Sequence, residues 1–575
     1  MKVGTLGKLL KQALKEVGVE PPLPSPTFPQ GSPGTDQETS PNAKSSTSAD
    51  SPTDEGYRSA PSDKKRTPSS PGRQSRARSG QGRTAPARQQ VEKSPPVKQP
   101  VPAPPYSLKM GPEVSLIWCP SNANPVPALA EFAWTGRALQ LAENASEDAE
   151  LTIGLDFGTS SVKAVITDKA KNISYAVPFR DGVGVGSYLL PSTLKKGEQQ
   201  IHDLKMALLS NPGSQHCQEN VVEFLARVIR HVRGWLFVTH GKVYQRSYIL
   251  WGLSIGLPVA SMREKPIVEL YKVLGYAAWL AAGSSELVIS RETIWNALER
   301  AKQLDPGSDE AIDEAGVEIA LAPEVAAQIH GFVSSGAYDP HGQNIFLMVD
   351  IGAGTLDASV FRIERQGGRD RFIAFSATVE PNGVMCWHRR RMQWWQQALE
   401  SNAPERADLL EGIQRIALDT GTESPVPDEL TGYFNGLDVQ FCDQSAHPDR
   451  VFYRKASEQV GYQTYARLKI DHLLPEHQMA GMPMILCGGG KRLPFYSKLE
   501  RSMSRSSGYP WFGTRPFPLQ KPARLRAPGL KAAEYDRLSV AYGLSRINLK
   551  EVVTDVPPMI SSESVVNWRD LYIEN

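Results

Sequence analysis

Hydrophobic and polar positions follow two alternating periods along most of this chain. Short apolar runs of strand length stand at Leu151–Leu155, Val162–Thr167, Ile249–Leu253, Ile345–Asp350, Ala358–Ile363 and Pro483–Cys487. Longer stretches with helical spacing stand at Val221–Val232, Ile267–Ala282, Glu318–Phe332, Arg389–Glu400, Ala456–Leu474 and Arg537–Asn548. Upstream of these, Glu113–Trp118 predicts one more strand and Val126–Leu141 one more helix. Strand and helix patterns in dense alternation predict an α/β architecture.

The residues before this region follow neither period, with one exception. Lys2–Val19 places Leu6, Leu9, Leu10, Ala13, Leu14 and Val17 at helical spacing, with Lys8, Lys11 and Lys15 elsewhere on the wheel. A helix this short is marginal alone in water. Its apolar stripe therefore needs a cover: a protein partner's groove, a membrane surface, or the body of its own chain. Between Gly31 and Gln90 there is no Leu, Ile, Val, Met, Phe or Trp, and the 85 positions from Pro21 to Pro105 hold 18 Pro and 14 Ser. Such a stretch cannot bury enough apolar surface to offset its ordering entropy, which predicts disorder. The expected organisation is an amphipathic helix at 1–20, a disordered Pro/Ser-rich basic linker at 21–105, an ordered body at 106–550 and a C-terminal tail at 551–575.

Charge sharpens the division. The chain carries a formal net charge of +2, yet Lys64–Lys98 holds ten basic residues against the single acid Glu92, so the remainder is acidic. A basic tract can attract nucleic acid or an anionic membrane. This one has no interleaved aromatics to stack on bases, which argues against nucleic acid and for a solvated, extended linker. Peripheral membrane contact stays open. The five cysteines are scattered, without a CxxC pair, which argues against a disulfide framework and a zinc site. The longest uncharged apolar run, Tyr248–Ala260, is too short to span a bilayer, and the N-terminus has no signal-peptide pattern. The expected location is a reducing cytoplasm.

Three segments carry the chemistry. In Ile153-Gly-Leu-Asp-Phe-Gly-Thr-Ser-Ser-Val-Lys163 a strand ends at Asp156, and a Gly158-Thr159-Ser160 turn leads into a β-rich segment. Glycine lets the backbone approach a phosphate, turn N–H groups form an anion cradle, and a carboxylate just before the turn can hold hydrated Mg²⁺. Phe346-Leu-Met-Val-Asp-Ile-Gly-Ala-Gly-Thr-Leu-Asp357 repeats that design with Asp350, the turn residues Gly352, Gly354 and Thr355, and a further acid at Asp357. Met484-Ile-Leu-Cys-Gly-Gly-Gly-Lys-Arg-Leu-Pro494 runs a buried strand into Gly488, Gly489 and Gly490, a shelf for a flat purine with Arg492 to stack on it.

These segments resemble the phosphate-1, phosphate-2 and adenosine motifs of the actin, sugar-kinase and heat-shock-chaperone ATPase superfamily. Asp-Ile-Gly-Ala-Gly-Thr-Leu-Asp and Gly-Gly-Gly-Lys-Arg-Leu-Pro are most similar to the 70-kilodalton heat-shock chaperones. Leu190-Pro-Ser-Thr-Leu194, Ile201-His-Asp-Leu-Lys205 and Val540-Ala-Tyr-Gly543 resemble further family segments in the expected order. The resemblance covers roughly residues 150–550. It implies a two-lobed actin-like ATPase fold of duplicated ribonuclease-H-like domains, with ATP and Mg²⁺ in the cleft. By position, Asp156 and Asp350 would order the metal's water shell, and the Gly158, Thr159, Ser160, Gly352, Gly354 and Thr355 turns would hold the phosphates. Lys205 would approach the γ-phosphate, the alternative being a surface lysine, and Gly488–Gly490 with Arg492 would hold the adenosine.

Two departures shape the expected function. The family's catalytic Glu is replaced by Ala322, with Glu324 two residues on and Asp357 as another candidate acid, so ATP binding with slow hydrolysis is expected. After Gly543 the sequence given has too few residues for the chaperones' peptide-binding β-sandwich. The leading expectation is a nucleotide-driven switch on a protein partner, docked through residues 2–19. The alternatives are a small-molecule, carbohydrate-type kinase and a filament-forming or membrane-tethered structural ATPase. Arg389-Arg-Arg-Met-Gln-Trp-Trp395 mixes cations and aromatics, and the expectation is core tryptophans with solvated arginines. His202, His330 and His388 are expected to be structural.

Overall fold

The computed structural model describes residues 105–118, 127, 129–141, 145–262, 264–306, 308–334, 338–339, 341–366, 369–417, 426–504, 509–546 and 553–555. The expected N-terminal helix, the linker up to residue 104 and the expected tail except 553–555 lie outside them. The described residues form a mixed α/β fold built on two large sheets.

The first sheet contains β1 (Glu147–Phe157), β2 (Ser161–Asp168), β3 (Ile173–Ala176), β4 (Ser247–Leu257) and β5 (Val317–Pro323). β1 pairs antiparallel with β2 and parallel with β4, while β2–β3 is antiparallel and β4–β5 parallel. The second contains β6 (Ile345–Ile351), β7 (Leu356–Gln366), β8 (Arg369–Glu380), β9 (Met482–Cys487) and β10 (Thr514–Pro516). Its pairings repeat the first: β6–β7 and β7–β8 antiparallel, β6–β9 and β9–β10 parallel. The spatial orders β3-β2-β1-β4-β5 and β8-β7-β6-β9-β10 are therefore the same. Short strands, Leu525–Arg526 beside β3 and Val553–Asp555 beside β8, extend the two sheets.

Parallel neighbours need long crossovers, and helices fill them. α1 (Leu204–Ser210) and α2 (Gln215–Tyr244) precede β4, α3 (Lys265–Ala282) precedes β5, and α4 (Glu324–Val333) leads from β5 towards β6. α5 (Val384–Asn402) and α6 (Pro448–Glu458) lie between β8 and β9, and α7 (Ser539–Arg546) packs against α4 and β1. Strands covered on both faces read as continuous apolar runs. β1 fits: Leu151, Ile153, Leu155 and Phe157 are fully buried, and Thr152 and Asp156 between them are buried too.

Four expectations need correction. Glu318–Phe332 is not one helix, because Val317, Ile319 and Leu321 alternate with residues on the other strand face and Pro323 ends β5 before α4 begins. The Ala456–Leu474 helix is interrupted by a π-helical segment at Gln459–Ala466, where Gln459 turns inward to donate to the Leu356 carbonyl at 2.6 Å and Thr464 Oγ1 donates to Gln459 O. Within Val126–Leu141 the described residues hold only a 3₁₀ turn, Thr135–Arg137. There Gln140 brackets the backbone N–H and carbonyl of Ile249, while Leu139 O accepts from Trp251 Nε1, so the segment lies along the start of β4. Last, Trp395 is buried as expected, but Arg391 is buried as well, stacked 3.8 Å over Trp387 and bonded twice to Asp449.

Candidate functional site

The two sheets bring the three glycine segments together. β1 and β6 are equivalent central strands with Asp156 and Asp350 as their next-to-last residues, and each turns back through a glycine hairpin into β2 or β7. β9, parallel to β6, sets Cys487 beside Asp350 and continues into Gly488–Gly490. A cleft of about 450 Å³ results, lined by Asp156, Gly158, Thr159, Ser160, Lys205, Asp350, Gly352, Thr355, Asp357, Gly488, Gly489, Gly490 and Arg492. Gly354 stands just outside the lining. A Cβ there would lie 3.2 Å from Thr159 Cγ2 and 3.5 Å from Met206 Sδ, so the two phosphate-type turns touch.

Two glycines are required by this geometry. Gly488 has φ +80°, and a Cβ on it would fall 2.2 Å from Asp350 Oδ1. On Gly256, at the end of β4, a Cβ would fall 2.9 Å from Glu324 Cγ. The second approach explains how Glu324 reaches the cleft although Ala322 is sealed in β5: the carboxylate arrives from the first turn of α4.

Glu324 Oε1 accepts from Lys205 Nζ at 2.9 Å, and Lys205 is only 5% exposed, so it is no surface lysine. Burial pulls the Lys205 ammonium down, but the charge and hydrogen bond of Glu324 together with Tyr271 and Asp156 outweigh it, and the net shift is upward. Lys163 Nζ lies 3.0 Å from Asp156 Oδ2. Asp350 Oδ2 accepts from Gln328 Nε2 of α4 at 3.0 Å. Loss of water, then repulsion from Glu324, raises the Asp350 carboxyl to about 6. The same two causes, with Asp350 added, push Asp357 up to about 8. Asp357 Oδ1 is sealed from solvent without a hydrogen-bond partner.

On the glycine-shelf side, Arg492 makes a two-pronged contact with buried Asp536, at 2.8 Å to Oδ1 and 3.2 Å to Oδ2. Lys491 adds a 3.2 Å contact to the same carboxylate. Arg537 lies over Gly489, and burial lowers its guanidinium from the ordinary value, with Arg492 adding to the effect. Val384, Met385 and Leu493 give this end an apolar lining.

Lys163, Glu324, Gln328, Asp536 and Arg537 were not among the residues singled out from sequence for firm roles. Lys163 alone carried a local signal, since a hairpin folded on the Gly158 turn sets it opposite Asp156. The other four come from segments placed only by tertiary packing. The three histidines have structural partners: His202 with Thr193, His330 with Ser334, and His388 with Tyr433 and Ile416 O.

No protein-family model and no curated protein matches this chain.

The donor set bears on the cation. Among the described residues, no three His, Cys, Asp or Glu side chains converge to hold a bare metal ion. Mg²⁺ keeps most of its water and takes one or two carboxylates plus ligand oxygens. Asp156 and Asp350 at equivalent strand ends, with the unpartnered Asp357 oxygen nearby, fit that mode of binding. Among the described residues no helix is long and apolar enough to cross a membrane.

Proposed function

We propose that this chain binds ATP with Mg²⁺ and hydrolyses it slowly, as a cytoplasmic, heat-shock-chaperone-like member of the actin-like ATPase superfamily that acts as a switch on a protein partner. One observation carries the reading. Two sheets of identical strand order offer glycine hairpins from equivalent strands, each beginning with an Asp, to one cleft that a third glycine segment closes. A duplicated, two-lobed fold accounts for that repetition.

In this reading the Gly158–Ser160 and Gly352–Thr355 turns hold the β- and γ-phosphates through backbone N–H groups and hydroxyls. Gly488–Gly490 seat the adenosine under Arg492, whose plane Asp536 fixes. Asp156 and Asp350 orient the water shell of the bound cation. A bound divalent cation would supply charge neutralisation for the phosphates. Lys205 is held charged by Glu324 and faces the terminal phosphate. Slow turnover follows from the same pair: Ala322 has no carboxylate, Glu324 is already engaged by Lys205, and Asp357, pushed up to about 8 by burial and Glu324, can take a proton from water only in its minor ionised form at neutral pH. Residues 2–19 supply the docking segment for the partner.

Calorimetry of the full-length protein with ATP and Mg²⁺, beside single-turnover hydrolysis by wild type and Asp350→Ala, tests the reading. Saturable binding with slow, Asp350-dependent turnover is expected. Absence of nucleotide binding overturns it. A small-molecule kinase is the second reading, favoured by the unpartnered Asp357 oxygen, which in its ionised form can accept a proton from a substrate hydroxyl. Polyol-stimulated ADP release would favour it over the switch.

A further inference from the structure

The two glycine hairpins place opposite charges at the same station. Across β6–β7, Asp350 is opposite Asp357, whereas across β1–β2, Asp156 is opposite Lys163. The Lys163–Asp156 pair is well shielded, its side chains 12% and 10% exposed, and the N···O separation is 3.0 Å. The ammonium also lies beside the phosphate-type turn, 3.2 Å from where a Cβ on Gly158 would be. Lys163 therefore neutralises the carboxylate that a divalent ion would use and presents its charge to the turn that would cradle a phosphate.

Resting on the nucleotide reading above, we propose that Lys163 is a built-in counter-ion for Asp156 that competes with the divalent cation and lets a nucleoside phosphate bind without metal. A divalent ion that takes Asp156 must displace Lys163 and leave a shielded ammonium without its carboxylate, which is costly. Without the ion no such exchange is needed, because a cation already covalently held in the cleft answers both Asp156 and the incoming phosphate. The acidic station at Asp350 and Asp357 lacks this device and depends on an added cation or on protonation.

ATP affinity measured by calorimetry on the full-length protein, with Mg²⁺ and with EDTA, tests the proposal. Wild type is expected to bind within about threefold in the two buffers, and Lys163→Met to lose about tenfold or more in EDTA and clearly less in Mg²⁺, so that the variant, unlike wild type, depends on the metal. Lys163→Arg, which retains the charge, is expected to keep metal-free binding and guards against a folding defect in the Met variant. Without nucleotide, the Mn²⁺ affinity of Lys163→Met, read by electron paramagnetic resonance, is expected to rise. Wild type that needs Mg²⁺ by more than about tenfold, or a Lys163→Met protein with unchanged metal-free ATP binding and unchanged Mn²⁺ affinity, overturns the role of Lys163 and leaves the nucleotide reading standing. Wild type that fails to bind ATP in either buffer overturns the nucleotide reading itself.

Discussion

Asp350 and Asp357 face each other directly across the β6–β7 ladder, two carboxylates where the equivalent hairpin has a carboxylate and an ammonium. Like charges at a directly opposed pair destabilise a sheet. Here they are also drawn out of water and lie within reach of Glu324. The fold does not compensate a second negative charge there, so below about 8 Asp357 keeps a proton that a bound cation would replace.

That charge makes stability depend on pH. Both acids have folded-state values above their ordinary ones, Asp350 at about 6 and Asp357 at about 8. Their contribution is greatest when they are protonated, below the unfolded value of about 4, and is lost as pH rises through about 6 and then about 8. Ligand-free protein is therefore expected to melt lower at pH 8.5 than at pH 5.5, as far as these groups decide it. Asp357→Asn removes the larger shift, and should raise the melting temperature at pH 8.5 by about 2 °C or more while flattening the profile. Thermal melts of both proteins from pH 5 to pH 9 check it. Equal slopes would show that Asp357 is not the source.

The Gly488 turn should tolerate no side chain. Its φ is +80°, and an added methyl would meet Asp350 Oδ1 and the Ile351 carbonyl well inside van der Waals contact. Gly488→Ala is expected to cost about 1–3 kcal/mol in urea unfolding and to weaken nucleotide binding by displacing Asp350. Gly481 has a similar φ, +69°, but nothing within 4 Å of an added Cβ. Gly481→Ala is the control, with backbone strain alone and no loss of binding.

The glycine turns and their acids were legible in sequence because their chemistry is local: a strand end and the glycine turn after it are contiguous, and three such segments named part of the lining of the cleft. Residues 318–332 were misread because alternation in Val317, Ile319 and Leu321 runs without a gap into an Ala-rich segment of helical spacing, and one continuous period was assumed. Glu324 was visible as a carboxylate but not as a cleft residue, since its reach depends on the bare backbone of Gly256 in a different strand. Asp536 and Gln328 had no local signal at all. Their partners, Arg492 and Asp350, are 44 and 22 residues away.

Arg391 gives the same lesson with a measurable cost. Its guanidinium is fully buried, stacked on Trp387, bonded to both oxygens of Asp449 and donating to the carbonyls of Pro427 and Asp428. Asp449 lies 58 residues along the chain, so a run of three arginines reads as a solvated face. Arg391→Ala strands Asp449 and empties the stack, and is expected to destabilise by about 3–5 kcal/mol in chemical denaturation. Arg391→Lys should recover less than half of that, because an ammonium cannot match the planar fork. Full rescue by Lys would reduce the site to a simple charge pair.

Lys205 and Glu324 should behave as one unit in stability and as two in function. The pair is shielded, with side chains 7% and 16% exposed, so removal of either partner leaves the other charge poorly solvated. Lys205→Met and Glu324→Gln are each expected to destabilise by about 1–3 kcal/mol, and the double variant by clearly less than their sum. Nucleotide binding separates the partners. If Lys205 faces the terminal phosphate, Lys205→Met weakens ATP by about tenfold and leaves ADP nearly unchanged, because only ATP carries the group that Lys205 meets. Glu324→Gln keeps a hydrogen-bond acceptor for the lysine, and in the complex the phosphate replaces the lost counter-charge, so ATP binding persists while single-turnover hydrolysis responds to the loss of the carboxylate. Equal loss of ATP and ADP in Lys205→Met would instead mark the pair as a structural brace between α1 and α4, and would move the search for the phosphate-facing cation to Lys163.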